Sequence, residues 1–295
     1  MRDAAASALP VGSALPAGIT WSTVQGADAI AVDTAACTAA LLPDGAQLLS
    51  WVPTGSRDLL WVSPDSAGGP GRSVRGGVPV VGPWFGAGRH GDAPYKHGWL
   101  RQVRWDLARA ERTDDEVLLA LTSPAARREL QAQLTLRIGA DLDIELRITA
   151  GAEGLELEAA LHTYLAVADV RGIEISGLEG APYLDNTRGL CADVMPQAPL
   201  RVQGPTDAVV ESGAPVTLTD PAAGRRIHAR PRGAARTVVW NPGEDGAREI
   251  GDITPGHWSR FVCSEPAVAK DAAVALGPGA SHTLAVTYRI EPLPS

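Results

Sequence analysis

Residues Leu130–Ile148 read LQAQLTLRIGADLDIELRI, and apolar side chains occupy every second position on both sides of the break Gly139-Ala140-Asp141. Side chains of a strand point alternately to its two faces, so this pattern predicts strands Leu130–Ile138 and Leu142–Ile148, each with one buried face. The short glycine-containing break joins them as an antiparallel hairpin. Working outward, further strand candidates are Ala46–Val52, Val117–Thr122, Leu155–Tyr164, Gly172–Leu178, Thr237–Trp240, Ser259–Cys263 and His282–Ile290. Turn material separates them at Pro43-Asp44-Gly45, Gly151–Gly154, Gly180–Pro182, Pro242–Gly246 and Gly277-Pro278-Gly279. Ser123–Leu130 offers a turn or two of helix at most, and no long amphipathic helix stands out. Many short strands with regular turns predict an all-β chain, a large antiparallel sandwich or barrel. With no dividing linker, residues 1–295 are expected to form a single domain, with 1–20 a loosely ordered N-terminal segment.

Hydrophobic residues make up 45% and charged residues 20%, which excludes a disordered chain, a coiled coil and a membrane bundle. A net charge of −8 argues against a nucleic-acid or acidic-membrane surface. The N-terminal apolar runs are short and interrupted by Pro10 and Pro16, unlike a signal sequence, and no stretch is long enough to span a membrane. A cytoplasmic monomer without membrane or nucleic-acid partners is therefore expected. Cys37, Cys191 and Cys263 form no C-x-x-C pair and read as buried, reduced thiols. His90 and His97 lack partners at ligand spacing, so no metal is expected. Of 26 basic residues only Lys96 and Lys270 are lysines. A GC-rich genome or selection for planar anion recognition would each produce that excess of arginine.

Three segments concentrate reactive side chains. Ser73–Trp105 holds Arg75 beside two glycines, then Trp84-Phe85-Gly86, then Lys96-His97-Gly98-Trp99-Leu100-Arg101. Glycines let a backbone approach a ligand, and arginines supply paired donors to phosphate or carboxylate. The same residues would also suit a solvated surface loop pinned by aromatics. In Leu155–Tyr164, strand alternation puts Leu155, Leu157, Ala159 and Leu161 on one face and Glu156, Glu158, Ala160, His162 and Tyr164 on the other. His162 thus falls on the polar face, as a structural or a reactive histidine. In Trp258–Pro266, Glu265 follows an apolar strand containing Cys263 and reads equally as a surface carboxylate at a strand end.

These motifs occur in a fixed order. Arg75-Gly76-Gly77 and Pro83-Trp84-Phe85-Gly86 precede His97-Gly98-Trp99-Leu100-Arg101. His162-Thr163-Tyr164, Ser176-Gly177-Leu178, Tyr183-Leu184-Asp185, Val238–Pro242 and Cys263-Ser264-Glu265 follow. The set resembles the hexose-6-phosphate mutarotases (glucose-6-phosphate 1-epimerases) of the aldose 1-epimerase superfamily, over roughly Ala35 to Ile290. That resemblance implies a galactose mutarotase-like β-sandwich, or supersandwich, with the sugar on the concave face of a large sheet. It implies His162 and Glu265 as the catalytic pair, and Arg75 and Arg101 as phosphate ligands. Lys96, where relatives often carry Gln, and His97 join the binding set, with Asp207 as the acidic substrate contact. Three places depart from the family, one of them Ser264-Glu265-Pro266 where Val-Glu-Ala is common around the glutamate. Gly82 replaces a usual Trp, which implies a more open wall, and Trp99 stands within the HGxxR element; both bear on sugar selectivity.

The implied reaction exchanges the α and β anomers of a hexose 6-phosphate. Glu265 takes the C1 hydroxyl proton while His162 protonates the ring oxygen, with no metal or organic cofactor. Two other readings use the same fold: an aldose 1-epimerase for unphosphorylated sugars, and a non-catalytic sugar-phosphate-binding module. A glycosidase would need paired carboxylates, which Glu265 and Asp207 could only mimic.

Overall fold

The computed structural model describes residues 9–125 and 129–294. The hairpin forms as expected, its register running from Leu130 opposite Ala150 to Ile138 opposite Leu142. Its alternating apolar side chains, Leu130 through Ile148, are each at most 3% exposed. Burial of each such Leu or Ile contributes about 1.5–3 kcal/mol.

The hairpin belongs to an eight-stranded antiparallel sheet. Its strand order is Glu174–Ser176, Val216–Asp220, Arg225–Arg232, Ser281–Pro292, Leu142–Ala150, Leu130–Ile138, Val117–Thr122 and Asp106–Arg112. A second eight-stranded sheet runs Cys191–Val194, Pro182–Asp185, Thr206–Val210, Arg236–Asn241, Phe261–Val268, Ala159–Leu161 and Val80–Val81, with Tyr164–Ala166 also on Phe261–Val268. The two sheets share one core, in which Leu134, Leu146, Val286 and Tyr288 of the first join Leu161, Val239, Val262 and Val268 of the second. A third sheet, Ile19–Val24, Ala27–Asp33, Cys37–Leu42 and Gln47–Pro53, extends that core. Its buried Trp51 donates from Nε1 to the Gly139 carbonyl at 3.1 Å, tying this sheet to the hairpin turn. The antiparallel sandwich expected from the alternation is thus the observed architecture. Leu9 N–H donates to the Leu107 carbonyl at 2.7 Å, ahead of the first strand. Among the described residues no helix is long and apolar enough to cross a membrane.

Several local expectations need correction. Leu155–Tyr164 is not one strand but three pieces, Leu155–Leu157, Ala159–Leu161 and Tyr164–Ala166. The strand expected at Ser259–Cys263 runs instead over Phe261–Val268, after a short 3-10 turn His257–Arg260. Residues of that strand are buried on both faces, so its sequence lacks the alternation that would have marked its end. The Pro242–Gly246 turn opens an α-helix, Gly243–Ile250. Only Gly243 and Ala247 of that helix are buried, and Arg248 pairs with Glu244 and Asp245 on the surface, so no apolar stripe announces it. Cys37 and Cys263 are buried free thiols, but Cys191 is exposed, because its strand lies at the sheet edge. The expected helical turn at Ser123–Leu130 falls partly outside the described residues.

Candidate active site

Strand register assembles the floor of the site. One row across the second sheet is Val209, Val238 and Glu265; the next is Asp207, Trp240, Cys263 and Tyr164. Both Ala159–Leu161 and Tyr164–Ala166 pair with Phe261–Val268, and His162 lies in the gap between them. There the chain tightens, with Thr163 N–H donating to Leu161 O at 2.8 Å and Ser264 N–H to Thr163 O at 3.2 Å. Thr163 turns to the core, where Tyr288 Oη donates to its Oγ1 at 2.9 Å. The breaks preserve the two-residue phase, so His162 and Tyr164 share the face opposite Ala159 and Leu161, as the alternation predicted.

The result is a close pair: His162 Nε2 lies 3.3 Å from Glu265 Oε1. The His162 ring stacks on Tyr164 at 4.9 Å and meets Trp240 edge-on at 5.9 Å. Glu265 is 1% exposed and sits within its strand, which corrects the reading of a surface carboxylate at a strand end. Burial pushes its carboxyl well up, with Asp207 adding and Arg101 opposing. Burial pushes His162 well down, with the His97, Arg101 and Arg75 charges adding. Both directions resist a net charge on the pair, which is therefore suited to hold one proton between two groups. His162 Nδ1 and Glu265 Oε2 are buried without a hydrogen bond to the described residues, a state a hydroxylated ligand would relieve.

A loop from Gly82 to Gly98 forms one wall. Gly98 has φ +65°, and a Cβ there would stand 1.9 Å from the Gly82 carbonyl oxygen, so only glycine permits this approach. Gly82 does not open a wall: it is buried, and a Cβ on it would lie 2.7 Å from Leu100 Cδ1. Trp99 likewise packs in the core, so neither departure lines the cavity. His97 has φ +69°, and its ring meets Phe85 at 5.1 Å and His162 at 5.7 Å, both edge-on. Its Nδ1 accepts the Gly86 N–H at 3.4 Å.

Burial, together with Arg101, Lys96, Arg75 and Lys270, pushes His97 down to about 3. An unfolded histidine takes up its proton below pH ~6.5, whereas folded His97 stays neutral until near its own value. Stability contributed by neutral His97 is thus present above pH ~6.5 and is lost as pH falls from there, by up to about 1.4 kcal/mol per unit. A His97→Asn variant, whose side chain tolerates the left-handed backbone, should lose stability less steeply between pH 6.5 and 4. Urea unfolding across that range checks this; equal slopes in variant and parent would refute it.

Arg75 Nε donates to Asp252 Oδ1 at 2.8 Å and its Nη1 to Tyr164 Oη at 3.0 Å. Arg101 Nη2 donates to the Lys96 carbonyl at 2.9 Å. Asn186 Nδ2 donates to Asp207 Oδ2 at 2.6 Å, and burial pushes Asp207 up. The structure brings Arg75, Lys96, His97, Arg101, His162, Asp207 and Glu265 around one cavity of about 700 Å³.

Sequence reasoning missed four contributors. Asn186 and Lys270 also line the cavity, Asp252 fixes Arg75, and Glu158 holds the walls together. Glu158 is 2% exposed and accepts the Phe85 N–H at 3.1 Å and the Lys270 N–H at 2.7 Å. Only Lys270 carried a signal, as one of two lysines. His162, Cys263 and Glu265 each present a ligand atom within 4.8 Å of the others, a set the spacing of His90 and His97 could not disclose.

The family model described as Aldose 1-epimerase matches residues 28–289. A Salmonella typhimurium protein named "Putative glucose-6-phosphate 1-epimerase" is 30% identical over 267 residues, covering 88% of this chain and 89% of that one. The Escherichia coli K12 protein of the same name is 30% identical over 272 residues, covering 90% and 91%. The crystal structure of a "putative mutarotase (YeaD)" from Salmonella typhimurium superposes with a TM-score of 0.87 at 27% identity, covering 96% of this chain and 97% of that one.

Proposed function

The chain belongs to the aldose 1-epimerase family, and from that membership we propose that it interconverts the α and β anomers of a hexose 6-phosphate, with glucose 6-phosphate as the first substrate to test. The observation that carries the mechanism is the buried His162–Glu265 pair, 3.3 Å apart, at the floor of a cavity lined by cations.

In this reading the pair rests with its one proton on Glu265, the form that burial favours, and enters the reaction as carboxylate and imidazolium once that proton crosses to His162 Nε2, 3.3 Å away. Glu265 takes the proton of the C1 hydroxyl, the C1–O5 bond breaks, and its electrons go to O5, which takes the proton from His162. The product is the open-chain aldehyde facing a protonated Glu265 and a neutral His162. Rotation about C1–C2 exposes the other carbonyl face, and the reverse transfers close the ring. The pair carries one proton throughout, so no net charge accumulates on two groups that burial keeps from charging. Each positioned proton transfer is worth about 10²–10⁴-fold.

Arg75 and Arg101 are assigned to the 6-phosphate, with Lys96 adding a point charge and Asp207 holding a sugar hydroxyl. Arg75 is already aligned by Asp252 and Tyr164, which lowers the cost of ordering it on binding. The test is the anomer exchange rate, by exchange NMR, for glucose 6-phosphate against glucose. Arg75→Ala should weaken glucose 6-phosphate by roughly tenfold or more while affecting glucose far less. Equal losses on both sugars would reject the clamp.

A further inference from the structure

The chain's only two lysines, Lys96 and Lys270, stand 174 positions apart in sequence and line the same cavity. Every other basic residue is arginine, and the cavity's arginines are tied down. Arg75 is held by Asp252 and Tyr164, Arg89 by Glu156, and Arg101 by the Lys96 carbonyl. Among the described residues, neither lysine ammonium makes a hydrogen bond or ion pair.

Lys270 is also placed with effort. It lies just past the strand that carries Glu265 and has φ +62°, a left-handed conformation that is strained for a non-glycine residue. The buried Glu158 carboxylate accepts its N–H and that of Phe85, so one side chain fixes the lysine turn and the facing loop together. In consequence Lys270 Nζ lies 3.8 Å from where a Cβ on Gly86 would stand, against the glycine-rich wall. Both lysines also act electrostatically on Asp207 and His97, which line the same cavity.

We propose that Lys270, with Lys96, closes on the phosphate of the bound sugar and sets the preference for phosphorylated over free hexose. The inference rests on the hexose 6-phosphate reading above. The guanidinium groups form a fixed seat; the ammonium groups, on flexible stems with three donors each, follow a phosphate that rotates about its C5–C6 and C6–O bonds. A planar fork tied to a carboxylate could not do so.

The test compares kcat/KM for glucose 6-phosphate with that for glucose in the full chain and in Lys270→Met. The ratio should fall roughly tenfold or more, as loss of a charge-assisted hydrogen bond to the dianion requires. A parent enzyme that shows no preference for the phosphorylated sugar would sink the hexose 6-phosphate reading itself. A parent that prefers it, with an unchanged ratio in Lys270→Met, would overturn the role of Lys270 alone. Amine labelling gives a second readout without turnover. Pyridoxal 5′-phosphate followed by borohydride should tag Lys96 and Lys270 by mass spectrometry, and glucose 6-phosphate should protect both. Protection by glucose equal to that by glucose 6-phosphate would also overturn the proposal.

Discussion

Glu265→Gln is expected to fold like the parent and to lose anomer exchange by roughly 10²–10⁴-fold. Glutamine keeps the volume of a side chain that is 1% exposed and packed within a strand buried on both faces, so the packing changes little. It introduces no charge where burial already favours the neutral acid. What it removes is the ability to take a proton from the C1 hydroxyl. His162, 3.3 Å away, then has no partner from which to regain its proton after giving it to the ring oxygen. Exchange NMR on glucose 6-phosphate reads the loss, and a thermal melt within a few degrees of the parent separates chemistry from folding. Activity within tenfold of the parent would remove Glu265 from the base role.

Glu158→Leu should destabilise the protein by up to about 6 kcal/mol, because it strips the acceptor from one buried and one half-buried N–H group, at about 1–3 kcal/mol each. Those donors belong to Phe85 and Lys270, which stand in separate walls of the cavity. Glu158→Gln, which retains one acceptor oxygen, should fall between the two. Urea denaturation gives the ordering. A cost below about 1 kcal/mol for the leucine variant would mean the carboxylate is not the latch that joins the walls.

How much of this was legible in the sequence follows from where each side chain is buried. Leu130–Ile148 has one face in the core and one toward solvent, so its alternation is unambiguous. His162 was placed on the correct face because the breaks around Glu158 and Thr163 preserve the two-residue phase. Glu265 was harder: Phe261–Val268 is buried throughout, and a charged residue after an apolar run reads as an end. The ordered motifs, not periodicity, singled it out. Asp252 and Glu158 could not be anticipated. Asp252 lies just past a helix with no apolar stripe and meets Arg75 far away in sequence, while the acceptance of two distant N–H groups by Glu158 is visible only once the loops are folded. Gly82 misled because a missing side chain was read as space, whereas Leu100 fills it.

The gap that holds His162 has a consequence for inheritance. Both flanking strands are laddered onto the strand that carries Glu265, so the spacing of His162 and Glu265 is written in main-chain pairing. Lys96, Asn186 and Lys270 instead hang from connecting segments that the ladder does not constrain. Grafting segments 86–97, 186–190 and 269–272 from a relative should shift the ratio of kcat/KM for different sugars while leaving the spacing of His162 and Glu265 unchanged. Turnover and diet are then separately evolvable traits of one scaffold.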